Sequence, residues 1–494
     1  VFTSVYKSSA KTIMIFCIPI IVYLCKLNKV KFVSPQFFKV HFIISFAKDL
    51  LISNLIVFPL FVIEILLIVD NTGSTFITPY YDLRYYAELS SSLVEFGNEN
   101  YYCTNNLFFP NSFQFITPYH YFELWLNGLT SKIFTISPIK SLMLITYPIL
   151  KSGVFIGILS LINIKQKMSL TTILFAILLF FVAGIHLPYT DGYLLTKYHN
   201  GITQSGAFSF LRKLLPIYFC GILSTYYFIK KKYISSIIII SLSGILFVTT
   251  APLVFSITTL ISIYLFIKHN KSTAFFFNIT LILSLIIFYY LFSPKVSFQK
   301  ESVEYVIIDL FNNFNFSIVK SLFFKFIFPL IRIFIFYSPY LILILIILFN
   351  KRLKNTEIKK ALILGLGICL IGCFYNMIMT GNLNASQLLT NNLPFINCII
   401  IFTFIEFFNK NLFKPLIYIF LIATSSYNFI TMFNTIKSHS NYNEKNYSIK
   451  FKEKCIEKLE NNNKKEIICY VQNDSLYKLG AENSRYLRNF GFLE

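Results

Sequence analysis

Apolar residues in this chain come in runs of roughly twenty, separated by short lysine-rich links, and the runs show no alternation of period two. Twenty apolar residues cross a hydrocarbon layer as one helix, whereas strands of a membrane barrel would alternate over about ten. The pattern predicts spans at 50–69, 142–164, 170–187, 214–229, 273–292, 361–379, 393–408 and 415–433. A shorter apolar segment, 12–25, lacks the small-residue cleavage site of a secretory signal around Cys17. Residues 234–267 are too long for one span and have Thr249, Thr250 and Pro252 in the middle, which predicts a hairpin of two short helices. The run 319–350 contains Lys320, Lys325 and Arg332, so its first half is expected along the interface and its second half across the membrane. The fold class expected is an all-α polytopic membrane protein with about 10–12 transmembrane helices. The membrane domain covers 1–434, and 435–494 forms a small charged tail with a strand-like core at 467–471. No internal repeat is visible.

Charge then gives the spans a direction. The 494 residues are 55% hydrophobic and 13% charged, with a mean hydropathy of +0.64, which excludes a soluble globule. The net charge of +22 resides largely in links between spans, as at Lys26 to Lys48, Lys165 and Lys167, Lys230 to Lys232, and 351–360. Positive links face the cytoplasm, so the charge calls for no nucleic-acid partner. That parity puts 70–133, 188–212, 293–318 and the tail on the extracytoplasmic side of a multi-pass membrane protein, expected in a bacterial inner membrane. Nine cysteines show no metal-ligand spacing, and Cys103 could pair with Cys455 or Cys469 only if all are outside.

One stretch breaks the pattern. Residues 70–131 carry six acids, Asp70, Asp82, Glu88, Glu95, Glu99 and Glu123, against one base, Arg84, a net of −5 within a basic chain. Leu83, Tyr86, Leu89 and Leu93 recur at helical spacing, so a helix is expected from Asp82 to Phe96, ended by Gly97. A second helix is expected after Pro118, with His120 and Glu123 on one face. The spans lack chains of acids for ion coupling, so the polar face points to a surface site for a lipid-borne substrate. Each candidate also has a structural reading. Asp82 can serve as an N-cap, Arg84 and Glu88 as a surface pair, and His120 with Glu123 as a hydrogen-bonded pair. Lys197, His199 and Arg212 can be headgroup anchors, and the tyrosines at 80–86 and 119–121 an aromatic belt.

The segment Asp82-Leu-Arg-Tyr-Tyr-Ala-Glu-Leu, then Thr117-Pro-Tyr-His-Tyr-Phe-Glu-Leu-Trp-Leu before the next span, resembles the first external loop of the fold-class-C glycosyltransferases. Over about residues 50–165 it is similar to the aminoarabinose transferases and protein O-mannosyltransferases. Ile116-Thr117-Pro118 stands where the former have Lys-Pro-Pro, and Asp82-x-Arg84 replaces an Asp-x-Asp, so no metal or other cofactor is called for. The resemblance implies transfer of a sugar from a polyprenyl-phosphate donor to a glycan, lipid or protein acceptor at the outer face. It makes Asp82 the general base, with Arg84, Glu88, Tyr119, His120 and Glu123 holding substrate. Lys197, His199, Arg212 and Arg332 would hold the lipid phosphate. A polysaccharide polymerase or ligase would use arginines in a long central loop, and 293–318 contains none. A transporter or flippase would show polar residues midway through several spans, and inverted repeats.

Overall fold

The computed structural model describes residues 121–136, 138–163, 169–185, 214–246, 250–269, 272–292, 316–349, 356–378, 387–410 and 412–440, with single helical positions at 51, 55, 58, 62, 86, 87 and 90. Every regular element among them is helical. The helices are α1 (Tyr121–Phe134), α2 (Pro138–Ser141), a π-helical turn (Leu142–Thr146), α3 (Tyr147–Asn163), α4 (Leu170–Phe180), α5 (Leu215–Ile229) and α6 (Tyr233–Leu246). There follow α7 (Ala251–His269), α8 (Ser272–Phe292), α9 (Phe316–Phe349), α10 (Thr356–Ile378), α11 (Gln387–Thr390), α12 (Leu393–Asn409) and α13 (Lys414–Ser440). Among the described residues, five helical stretches are long and apolar enough to cross a bilayer, and α4, α5, α6 and α8 add shorter apolar helices. The described residues form the all-α helical bundle of a multi-pass membrane-embedded protein.

The helix α12 is the axis of the bundle. Its span, Leu388–Asn409, is 89% buried, with α3, α5, α10 and α13 packed around it. Side-chain pairings along these contacts give the helix directions. Tyr337 and Tyr340 of α9 meet Asn397 and Phe404 of α12, and Tyr218 and Phe228 of α5 meet Asn397 and Phe402. Because both members of each series advance together, α5, α9 and α12 run parallel. Gly153 and Gly157 of α3 lie against Phe219 and Ile222, so α3 runs the same way. Tyr418, Ser425 and Asn428 of α13 donate to the carbonyls of Thr171, Leu178 and Phe181, each 247 residues earlier, so α13 is parallel to α4.

A hairpin is present at 234–267 as α6 and α7, but only α6 is short, since Ala251–Lys268 of α7 is long and apolar enough to cross a bilayer. The Thr250 hydroxyl donates to the Ser243 carbonyl at 3.0 Å, and a Cβ on Gly244 would lie 3.2 Å from the Ala251 backbone, so the close turn needs glycine there. The run 319–350 differs from expectation, since α9 continues unbroken through Pro329 and Pro339. Each proline removes the donor for the carbonyl four residues earlier. Asn376 of α10 donates to the Lys325 carbonyl at 3.4 Å and Ser338 to the Ile335 carbonyl at 2.7 Å, so neither break leaves an unsatisfied acceptor in the membrane. The apolar side chains of Leu51, Leu55 and Phe58 are exposed on one helical face. In a bilayer such a face meets lipid. The tail 435–494 lies outside the described residues after Ser440, as do the first apolar segment and the loop 293–315.

Candidate functional site

The helix α1 begins where Pro118 predicts a second helix in the acidic stretch, and it places Glu123 in its first turn, where a carboxylate suits the positive end of the helix dipole. The residue is fully buried. A polar clasp fixes α1 against the turn that follows. Thr130 and Ser141 share a hydrogen bond at 2.6 Å, Thr146 donates to Asn127 Oδ1 at 3.2 Å, and Asn127 Nδ2 donates to the Pro138 carbonyl at 3.0 Å. These bonds tie α1 to α2 and to the π-helical turn, across buried Thr130, Ser141 and Thr146. In the helix expected from Asp82, Tyr86, Ala87 and Ser90 are helical and buried, and the Ser90 hydroxyl donates to the Tyr86 carbonyl at 2.9 Å.

Arg332 is 4% exposed, lies between the two prolines of α9, and has its guanidinium 5.4 Å from the Phe336 ring centre. The adjoining ring face offers electrostatic attraction to a cation withdrawn from water.

A further polar layer, not anticipated from the sequence, crosses the bundle near this depth. The Tyr337 hydroxyl donates to Asn397 Oδ1 at 2.7 Å, and Asn397 Nδ2 donates to the Tyr218 hydroxyl. All three residues are buried. The α3 to α5 pairing sets Lys151 and Ser152, also buried, at the height of Tyr218. The segment after α4 reaches the same level, where the Ile185 amide donates to the Phe336 carbonyl at 2.8 Å and Gly184 lies against Phe336 and Tyr337. The helices α5 and α12 begin close by, within four residues of Tyr218 and Asn397. The starts of α5 and α12 therefore lie beside buried polar groups.

Comparison with family models, curated proteins and solved structures finds no match.

Of the site residues expected from the sequence, Glu123 and Arg332 are described, on different helices. Asp82, Arg84, Glu88, Tyr119, His120, Lys197, His199 and Arg212 lie outside the described residues. Among the described residues no group of three His, Cys, Asp or Glu side chains is placed to hold a metal ion. The residues missed from sequence, Lys151 and Asn397, had a weak signal, since each is a polar side chain inside an otherwise apolar run.

Proposed function

We propose that this chain is an integral-membrane glycosyltransferase that moves a sugar from a polyprenyl-phosphate donor to an acceptor hydroxyl at the extracytoplasmic face. In the reaction, the acceptor oxygen attacks the anomeric carbon as the bond to the phosphate oxygen breaks. Asp82 takes the acceptor proton, and a carboxylate opposite the leaving phosphate suits such an inverting displacement. Arg84, Lys197, His199, Arg212 and Arg332 supply positive charge for the departing lipid phosphate. Glu88, Tyr119, His120 and Glu123 orient sugar and acceptor.

The observation that carries this reading is the acidic, aromatic stretch 70–131 in a basic chain, ending in a helix whose acid, Glu123, is buried. The test is transfer from a polyprenyl-phosphate sugar by the purified protein and by Asp82→Asn. The variant should lose nearly all turnover, by roughly 100-fold or more, while keeping donor binding. Full activity in Asp82→Asn would remove the general-base assignment.

A second reading, a transporter or flippase for a lipid-linked glycan, draws support from the polar groups of α3, α9 and α12 within their spans. In sealed proteoliposomes it gives transbilayer movement of the intact lipid-linked sugar with no new glycosidic bond. The transferase consumes donor with an acceptor present on one side only.

A further inference from the structure

We infer that one end of the helix bundle gathers anionic phospholipids from the leaflet that surrounds it. The helix directions determine which residues share that end. Since α5, α9 and α12 are parallel and their successors return as hairpins, the ends of α5, α7, α9 and α12 meet the starts of α6, α8, α10 and α13. The turn from α5 to α6 presents Lys230, Lys231 and Lys232, all exposed. It is tightly built, with Lys231 at φ 57° and backbone bonds from Lys230 to Tyr226 and from Lys232 to Tyr227. The turn from α12 to α13 presents Lys410 and Lys414 around Phe413 at φ 47°. Lys268 closes α7, and Lys359 and Lys360 lie in the first turns of α10.

The geometry selects a lipid over a soluble anion. Three helices combine an exposed apolar stripe with a lysine at this same end. On α10 the stripe is Ile363, Leu366, Leu370 and Phe374, beginning one turn beyond Lys359. On α7 it is Leu260, Ile263, Tyr264 and Ile267, ending at Lys268, whose ammonium stands 5.4 Å from the Tyr264 ring centre. On α13 it is Leu416, Ile419 and Ile422, beginning beside Lys414, which lies 4.5 Å from the Phe408 ring centre. A diacyl chain laid along such a stripe brings its phosphate to the height of the lysine. The ring beneath the cation holds its stem in the headgroup zone. A cation facing an anionic leaflet contributes about 1 kcal/mol, a factor of about five in lipid association.

The inference is independent of the reaction proposed above and needs no substrate to test. The full chain is reconstituted in phosphatidylcholine bilayers with a minor share of phosphatidylglycerol, and spin-labelled forms of each lipid report the fraction held at the protein boundary. Phosphatidylglycerol should be held several-fold more strongly, with the preference declining as salt is raised. Replacing Lys268, Lys359 and Lys414 by Gln should bring the preference down towards equal retention, and replacement by Arg should keep it. Should the glutamine variant misfold, the salt titration of the wild-type chain decides alone. Equal retention of both lipids, a preference insensitive to salt, or displacement of phosphatidylglycerol by equimolar inorganic phosphate would each overturn the inference, the last by making the lysines a site for soluble anions.

Discussion

Asn397 shows how much one polar residue can organise in a membrane interior. Its amide joins hydroxyls from α5 and α9 across the central helix, so the three helices share a fixed register at that level. Replacing Asn397 by Leu should destabilise the protein by about 1–2 kcal/mol, because both tyrosine hydroxyls lose their amide partner in a low-dielectric setting. Tyr337→Phe removes a single bond and should cost less, about 0.5–1 kcal/mol. Unfolding from mixed micelles measures both. Little of this was legible beforehand. An asparagine inside Leu393–Asn409 is one letter in an apolar run, and its two partners lie 179 and 60 positions away. Glu123 was legible, because Pro118 and the periodic residues after it mark a helix start and put the acid in the first turn.

At the scale of elements, close packing of α3 on α5 depends on Gly157, whereas a Cβ at Gly153 would meet Phe219 at an ordinary 3.6 Å. A Cβ on Gly157 would stand 2.7 Å from Ile222 Cγ2, so Gly157→Leu should separate the pair at a cost of about 1–3 kcal/mol. Gly367 on α10 has nothing within 4 Å of the same position, so Gly367→Ala should be neutral or stabilise by up to about 1 kcal/mol. Thermal unfolding in one detergent would rank the two variants. The hairpin of α6 and α7 was readable because Thr249, Thr250 and Pro252 punctuate an over-long run. The continuity of α9 was not. Its lysines and Arg332 argued for a first half laid along the interface, while the donor that repairs Pro329 is Asn376, 51 residues downstream of the carbonyl it serves.

For the whole molecule, alternating apolar runs and lysine links were enough to specify an all-α bundle in a membrane, and the parallel directions found for α3, α5, α9 and α12 follow the same alternation. The polar layer was hidden because it is assembled from helices far apart in the chain, each carrying only one or two of its members. The directions make a labelling prediction. Cysteines introduced at Lys231, Lys268 and Lys410 should react with a membrane-impermeant maleimide from one side of sealed vesicles, and a cysteine at exposed Lys140 from the other. Reaction of all four from the same side would contradict the arrangement.

The pairing of α4 with α13 bears on how the chain is made. The carbonyls at the end of α4 receive hydrogen bonds from Ser425 and Asn428, which are synthesised 247 residues later. At about 5–20 residues per second that interval is roughly 10–50 s. The Leu178 carbonyl already accepts from the Phe181 amide at 3.3 Å, so the acceptor that waits is the Phe181 carbonyl. A chain cut before α13 would therefore leave that one carbonyl to find another donor.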